Sequence, residues 1–195
     1  MYKLKEMDEK FNLLKASSDR SPFRILDLGA APGSWSLYIM KKFTQSTQNM
    51  RRGFLLVSVD LGLLSREYDQ GLFDSADFNF IQGDFTQSDI RETILSHGPY
   101  NLIVSDAAPA TSGNRSLDSL RSLALGECAL DYAESALAAG GNLLIKVFQG
   151  GETGNLLKAI RGSFSTARSF KPEACRAESF EVYYLGLGRK FGRNI

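Results

Sequence analysis

The segment from Ile25 to Trp35, Ile-Leu-Asp-Leu-Gly-Ala-Ala-Pro-Gly-Ser-Trp, constrains the fold of this chain more than any other. An apolar run ends near an acid, a loop of small residues follows, and an amphipathic helix begins near Ser34. This order is typical of a strand that enters a tight turn at the carboxyl edge of an open α/β sheet, where such sheets bind ligands. Gly29 and Gly33 have no Cβ, so the backbone can approach a ligand closely. The segment therefore predicts a pocket for a nucleoside-containing ligand.

The rest of the chain predicts alternating strands and helices. Strands are predicted over residues 23–27, 53–59, 78–82, 100–105, 142–147, 166–170 and 181–187. Helices are predicted over residues 2–16, 34–43, 89–96, 117–139 (stopped by Gly140-Gly141) and 155–162. This α/β pattern indicates a mostly parallel seven-stranded sheet with helices on both faces. Because no helix is predicted between the last two strands, and parallel neighbours need a long crossover, we expect the last strand to be antiparallel.

The 195 residues suffice for a single domain with its own core. We expect an N-terminal helix over residues 1–16, a core over 23–187 and a basic tail over 188–195. No apolar run approaches the roughly 20 residues of a membrane span, and the first residues lack the apolar core of a signal peptide. The expectation is a cytoplasmic protein without a membrane partner. The sequence does not determine the oligomeric state, for which a monomer is the working expectation.

Cysteine and histidine are too sparse for several kinds of site. Cys128 and Cys175 lie far apart and lack the paired spacing of a structural zinc site, so we expect no metal. His97, the single histidine, precedes Gly98-Pro99 at a predicted helix end. Because no acid is placed to orient this imidazole, the sequence disfavours Ser-His-Asp catalysis.

Four acids come just after apolar runs, at the ends of predicted strands, and they narrow the choice of ligand. They are Asp27, Asp60, Asp84 and Asp106. An acid after the second strand can accept hydrogen bonds from a ribose diol, and an acid after the third can face an adenine amino group. The alternative is that these acids cap the helices and loops that follow them.

The glycine loop itself argues against a dinucleotide. The GxGxxG and GxxxxGK[ST] fingerprints are absent, and Pro32 stands where a phosphate-binding amide would be needed. A ligand with an adenosine but no phosphate fits better, and S-adenosylmethionine is the common one.

Four segments, in order along the chain, resemble motifs of the FtsJ/RrmJ family of RNA ribose 2′-O-methyltransferases. They are Asp27-Leu-Gly-Ala-Ala-Pro-Gly-Ser-Trp35, Ser105-Asp-Ala-Ala-Pro109, Ile145-Lys-Val-Phe-Gln-Gly150 and Glu181-Val-Tyr183. The resemblance runs from about Tyr2 to Arg189 and implies a Rossmann-like, S-adenosylmethionine-dependent methyltransferase fold. It also implies an RNA partner, and the large-subunit (23S) ribosomal branch matches best. The Arg-rich segment that usually precedes the Tyr-Lys-Leu stretch in bacterial ribosomal members is not in this sequence, and residues 61–77 are longer than expected.

The resemblance implies roles for individual residues. The family's catalytic tetrad carries over onto Lys3, Asp106, Lys146 and Glu181. The family's cofactor contacts carry over onto Gly33, Trp35, Asp60, Asp84 and Asp106, to which the strand-and-loop pattern adds Asp27 and Gly29. Two roles are open for Lys146: it accepts the proton of the ribose hydroxyl, or it stays cationic and positions that hydroxyl.

The net charge of +1 does not by itself indicate nucleic acid. Residues 1–60 and 136–195 are net basic, whereas residues 61–135 are net acidic. If the fold brings the ends together, one face could attract a polyanion. The basic candidates for phosphate contact are Lys3, Lys5, Arg115, Arg176 and Arg189.

The sequence alone leaves four other functions open. The first is ribose methylation of transfer RNA, and the second is ribose methylation of an RNA cap. The third is a non-catalytic RNA-binding factor in ribosome assembly, against which the intact tetrad argues. The fourth is methylation of a small molecule, which would not need this tetrad.

Overall fold

The computed structural model describes residues 1–15, 22–45, 53–150, 153–175 and 179–190. Within these ranges the strands are β1 Phe23–Leu28, β2 Phe54–Asp60, β3 Phe78–Gln82, β4 Tyr100–Ser105, β5 Leu137–Phe148, β6 Phe164–Phe170 and β7 Glu181–Arg189. The helices are α1 Tyr2–Phe11, α2 Ser34–Gln45, α3 Ser88–Ser96, α4 Arg115–Ala136 and α5 Thr153–Ser163, with a 3₁₀ turn at Leu72–Asp74. None of the helices in these ranges is long and apolar enough to cross a membrane.

The strands form a seven-stranded sheet in the order β3-β2-β1-β4-β5-β7-β6. The pairs among β1 to β5 are parallel, and β7 runs antiparallel to both of its neighbours, β5 and β6. The predicted mostly parallel sheet with an antiparallel last strand is therefore confirmed. The strand order reverses between β1 and β4, which creates a crevice at the carboxyl ends of the strands.

Two apolar clusters cover the two faces of the sheet. One face packs against α1 and α2 through side chains such as Leu4 and Ile39. The other face packs against α3, α4 and α5 through side chains such as Ile94 and Leu130. Helices on both faces were predicted, and the reason is visible in β1, whose Ile25 faces the first cluster and whose Leu26 faces the second.

The structure corrects two predicted helix boundaries. Helix α1 ends at Phe11, not near residue 16, because Asn12 adopts a left-handed conformation and its N–H bonds to the carbonyl of Asp8. Helix α4 ends at Ala136, and β5 begins at once, so Gly140-Gly141 lie inside a strand. The pairing of β4 with β5 shifts register there, and Gly140 has a φ of +75°. The glycines permit this irregularity instead of stopping the helix.

A buried carboxylate of helix α1 makes hydrogen bonds with side chains of helix α2. Asp8 accepts hydrogen bonds from the Leu14 N–H at 2.9 Å and the Tyr38 hydroxyl at 2.8 Å, and it pairs with Lys42. Its side chain is 1% exposed, and a buried charge needs such partners. These contacts fix the helix that carries Lys3.

The basic residues at the end of β7 cap helices. Arg189 donates to the carbonyls of Glu134 and Leu137 at the end of α4, and Lys190 donates to two carbonyls at the end of α5. Because β7 is antiparallel to β5, Arg189 lies at the edge of the sheet opposite the crevice. Arg189 therefore lies away from the candidate site, and its contact with phosphate stays a prediction. Residues 191–195 of the predicted basic tail lie outside the described residues.

Candidate active site

A cavity of about 700 Å³ lies at the carboxyl ends of the central strands. Its walls include side chains from the loops after β1, β2, β3 and β4 and from the end of β5. Among the predicted site residues they are Gly29, Asp60, Asp84, Asp106 and Lys146. The topology thus gathers residues from distant parts of the sequence around one volume of ligand size.

Gly29 permits the close contact between the loops after β1 and β4. It has a φ of +76°, and a Cβ at this position would lie 2.5 Å from the Cα of Ala107. Its N–H and that of Ala30 both bond to the carbonyl of Val59 at the end of β2. A side chain at this position is excluded by both backbone conformation and space.

Asp60 connects the glycine loop to the loop after β2. Its Oδ2 accepts the N–H of Ala31 at 2.9 Å, and its Oδ1 accepts the N–H of Gly62 at 2.8 Å. Each carboxylate oxygen has two lone pairs, so both oxygens retain acceptor capacity toward the cavity. The loop-capping and ligand-binding interpretations of this acid are therefore compatible.

Asp84 lines the neighbouring part of the cavity. Its Oδ1 accepts the hydroxyl of Thr86 at 2.7 Å and the N–H of Thr86 at 2.9 Å. These bonds, the hydroxyl first, hold the pKa of Asp84 below its usual range. The carboxylate is thus a negatively charged acceptor on the cavity wall.

Lys146 lies at the end of the cavity nearest β5 and is only 6% exposed. Its Nζ donates to the backbone carbonyl of Asp106 at 2.6 Å and lies 3.2 Å from Oδ1 of the same residue. This double contact compensates the buried ammonium group and fixes the direction of its nitrogen.

Lys3 and Glu181 form the second pair of the predicted tetrad. Their Nζ and Oε2 atoms are 2.5 Å apart, and their side chains are 27% and 21% exposed. Partial burial acts to lower the pKa of Lys3, but the hydrogen bond and charge of Glu181 raise it above its usual value. Partial burial acts to raise the pKa of Glu181, but Lys3 holds it below its usual range. Both partners therefore carry their charges at neutral pH.

Tyr183 contacts the Lys146–Asp106 pair and was missed as a site residue. Its hydroxyl donates to Oδ1 of Asp106 at 2.9 Å, and its Cα is the register partner of Lys146. Burial raises the pKa of Tyr183 far above its usual value, so the hydroxyl stays a donor. The strand period of two gave a usable signal, because Tyr183 follows Glu181 by two residues and faces the same side of β7.

Three predicted cofactor residues do not line this cavity. Gly33 lies against the Phe73 ring beside a second cavity of about 570 Å³, and Trp35 is buried with its ring centroid 5.9 Å from that of Tyr183. Asp27 is fully buried beneath the loop. Contact of these three with a cofactor stays a prediction.

Asp27 has an unusual environment. Its Oδ2 accepts the hydroxyl of Ser36 at 2.7 Å, while its Oδ1 has no hydrogen-bond partner among the described residues. Burial raises the pKa of Asp27 to about 7, against the opposing effect of the Ser36 bond. The carboxyl group thus keeps its proton at pH values where an exposed aspartate is ionised.

The other basic candidates for phosphate contact have different environments. Lys5 is paired with Glu9 on the exposed side of α1 at 3.8 Å. Arg115 lies over the ring of Phe180, with 5.6 Å between the guanidinium carbon and the ring centroid. Arg176 lies outside the described residues.

A family model described as FtsJ-like methyltransferase matches residues 1–189. The chain belongs to the FtsJ-like methyltransferase family. The match includes all four tetrad positions, so the predicted family, the Rossmann-like fold and the methyltransferase class are confirmed.

Similar proteins agree with this assignment. The chain is 43% identical over 191 residues to the ribosomal RNA large subunit methyltransferase E of Treponema denticola, covering 97% of the chain and 87% of the relative. Its identity to the protein of the same name from Borrelia garinii is 39% over 193 residues, with 99% and 89% coverage. A solved structure of a putative ribosomal RNA methyltransferase from Plasmodium falciparum has a TM-score of 0.74 at 25% identity, with 96% and 95% coverage.

Proposed function

We propose that this FtsJ-like methyltransferase transfers a methyl group from S-adenosylmethionine to a ribose 2′-hydroxyl of large-subunit (23S) ribosomal RNA. The observation that carries the proposal is the Lys146–Asp106 contact at the end of a cavity whose walls hold Asp60 and Asp84. The names of the relatives, ribosomal RNA large subunit methyltransferase E, support the choice of RNA.

The residues of the cavity fit S-adenosylmethionine. Asp60 retains acceptor capacity on both carboxylate oxygens, as a ribose diol requires, and the ionised Asp84 can accept from an adenine amino group. Gly29 adds no side chain to the cavity wall where the loops after β1 and β4 meet. When bound, this cofactor supplies an electrophilic methyl group on a sulfonium that is its own leaving group.

Lys146 is the group that we assign to the ribose hydroxyl. A neutral amine has two N–H donors and one lone pair, and both contacts of Nζ among the described residues are with Asp106, which leaves the lone pair for a proton. The remaining direction of Nζ is available to a substrate hydroxyl, whose proton must leave during the transfer. The Tyr183 hydroxyl donates to Oδ1 of Asp106, the same oxygen that Nζ contacts, so the nitrogen is positioned before substrate binds.

The two roles of Lys146 differ in their pH dependence. If the neutral amine accepts the proton, the rate of a single turnover rises with pH until the amine is fully deprotonated. If the ammonium only positions the hydroxyl, the rate falls as the ammonium is titrated. We propose proton acceptance, and a pH–rate profile under saturating RNA and cofactor distinguishes the two roles.

The function is tested by following labelled methyl groups. The protein is incubated with labelled S-adenosylmethionine and, separately, with undermodified large ribosomal subunits, naked ribosomal RNA and transfer RNA, and any methylated ribose is mapped. We expect label in one ribose of the large-subunit RNA and none in fully methylated control subunits. Label in transfer RNA alone would replace the proposed substrate, and label in no RNA would favour a non-catalytic binding factor.

A further inference from the structure

We propose that a groove beside the first turns of α4 binds one unpaired RNA base adjacent to the ribose that is methylated. This inference rests on the proposed function and assigns part of its substrate recognition. The groove encloses about 280 Å³ between α4 and the segment after β5. Its lining includes Arg115, Ser116, Leu120 and Gln149, and the ring of Phe180 lies next to Arg115.

The groove lies directly next to the tetrad. The N–H of Gln149 donates to the carbonyl of Phe180 at 2.7 Å, and the next residue, Glu181, holds Lys3. Lys146 is three residues before Gln149 on the same strand end. An RNA chain with its ribose at Lys146 therefore has a neighbouring nucleotide within reach of the groove.

Helix α4 separates the groove from the cofactor cavity. Leu120 and Ser116 line the groove, whereas Arg121 and Leu125 line the larger cavity. The two ligands would thus bind on two sides of one helix, and the groove is not an extension of the cofactor cavity.

The side chains of the groove suit the flat face of a base. The guanidinium of Arg115 lies over the ring of Phe180 at 5.6 Å, and the Phe180 ring in turn packs against Phe148 at 4.7 Å. Planar guanidinium groups and aromatic rings are the surfaces on which unpaired bases stack. Leu120 is 60% exposed and adds apolar surface, while Ser116 and Gln149 offer hydrogen-bonding groups for a base edge.

The local charge favours a polyanion. Arg115 makes no salt bridge in the part of the chain that the structure describes. Two acids near Arg115 or Phe180 along the described chain have other partners: Asp118 accepts from the backbone and hydroxyl of Ser112, and Glu181 is paired with Lys3. The positive charge of Arg115 is therefore available to the phosphates that flank a bound base.

The test separates base stacking from phosphate attraction. Binding to the full chain is measured by fluorescence anisotropy with a labelled decamer of adenylate and with the same decamer carrying abasic riboses. We expect the wild type to prefer the adenylate decamer by roughly tenfold. Arg115→Ala, and also Arg115→Lys, which keeps the charge but not the planar group, should lose most of this preference. Phe180→Leu, which keeps the apolar bulk, should lose it too.

The matched control is Arg161→Ala, which removes one positive charge at the far end of α5. It should retain the wild-type preference. The inference is overturned if the wild type does not distinguish the decamers, or if Arg115→Ala weakens binding to both equally, which indicates a phosphate contact alone. It is also overturned if Arg115→Ala leaves binding to both decamers unchanged.

A parallel methylation assay keeps this inference separate from the proposed function. Arg115→Ala should raise KM for undermodified subunits with little change in kcat. If the wild type methylates RNA but shows no base preference, the groove assignment fails and the function stands. If the base preference is present and is lost in Arg115→Ala while no RNA is methylated, the function fails and the groove stands only as a site for an unpaired base.

Discussion

Lys3 near the start of the chain and Glu181 near its end meet through a 2.5 Å contact although 178 residues separate them. The contact exists because Asp8 fastens α1 to α2, and because the antiparallel β7 returns to the crevice beside β5. Helix α1 and strand β7, which lie at opposite ends of the sequence, thus form one side of the candidate active site.

The first prediction concerns this pair. Lys3→Ala should lower kcat for methyl transfer by an order of magnitude or more, because the tetrad loses one of its two positive charges and Glu181 loses its partner. The pair is partly exposed, so the free energy of unfolding should fall by only about 1 kcal/mol or less. Lys10→Ala, on the same helix, should retain wild-type turnover. Unchanged kcat in Lys3→Ala, measured with undermodified subunits, would remove Lys3 from the mechanism.

The second prediction concerns the cofactor. Asp60→Ala should weaken S-adenosylmethionine binding by about tenfold or more, because it removes a charge-assisted acceptor and releases the N–H groups of Ala31 and Gly62. Asp74→Ala, which removes an exposed acid in the same region, is the control. Calorimetry gives the dissociation constants, and equal values for wild type and Asp60→Ala would exclude Asp60 as a ligand.

The third prediction separates steric overlap from backbone strain. Gly29→Ala and Gly140→Ala both place a Cβ on a residue with a φ near +75°, but only the first meets an atom, at 2.5 Å from Ala107. Each should lose about 1 kcal/mol from strain, and Gly29→Ala should lose a further 1–3 kcal/mol from overpacking. Urea unfolding measures the difference. Equal losses of the free energy of unfolding in the two variants would show that the loops after β1 and β4 can separate without an energetic cost.

The fourth prediction uses the raised pKa of Asp27, about 7 in the folded protein. In the unfolded chain this carboxyl ionises near pH 4. Between about pH 4 and 7 the unfolded chain loses the proton and the folded protein keeps it, so stability falls as pH rises. Asp27→Asn cannot titrate, so the stability of the wild type relative to this variant should be lower at pH 8 than at pH 5. A constant difference in urea midpoints, measured without cofactor, would contradict this.

The sequence predicted β1, β2 and β4 closely because each is an apolar run that ends near an acid. Helix ends were harder to predict. Gly140-Gly141 would end an isolated helix, but here pairing with β4 draws these residues into β5. The chemistry of tertiary contact, not local preference, decides such boundaries.

In the candidate site, too, some features could be predicted from the sequence and others could not. Acids after strands were predictable because parallel strands end at one edge, and Asp60, Asp84 and Asp106 do line one cavity. Asp27 follows the same pattern, but it precedes the end of β1 by one residue and its side chain is buried. The role of Arg189 as a helix cap was not predictable, because its acceptors come from a helix end more than fifty residues earlier in the chain.

The role of Lys146 is tested most directly by methyl transfer to undermodified large ribosomal subunits with the Lys146→Ala variant. Binding of S-adenosylmethionine is measured on the same preparation. Lys146 lies at the end of the cavity, and its Nζ contacts are with Asp106. We predict that transfer is abolished while the dissociation constant for the cofactor stays within a few-fold of the wild-type value. Turnover equal to that of the wild type would contradict the assignment of Lys146 to the ribose hydroxyl.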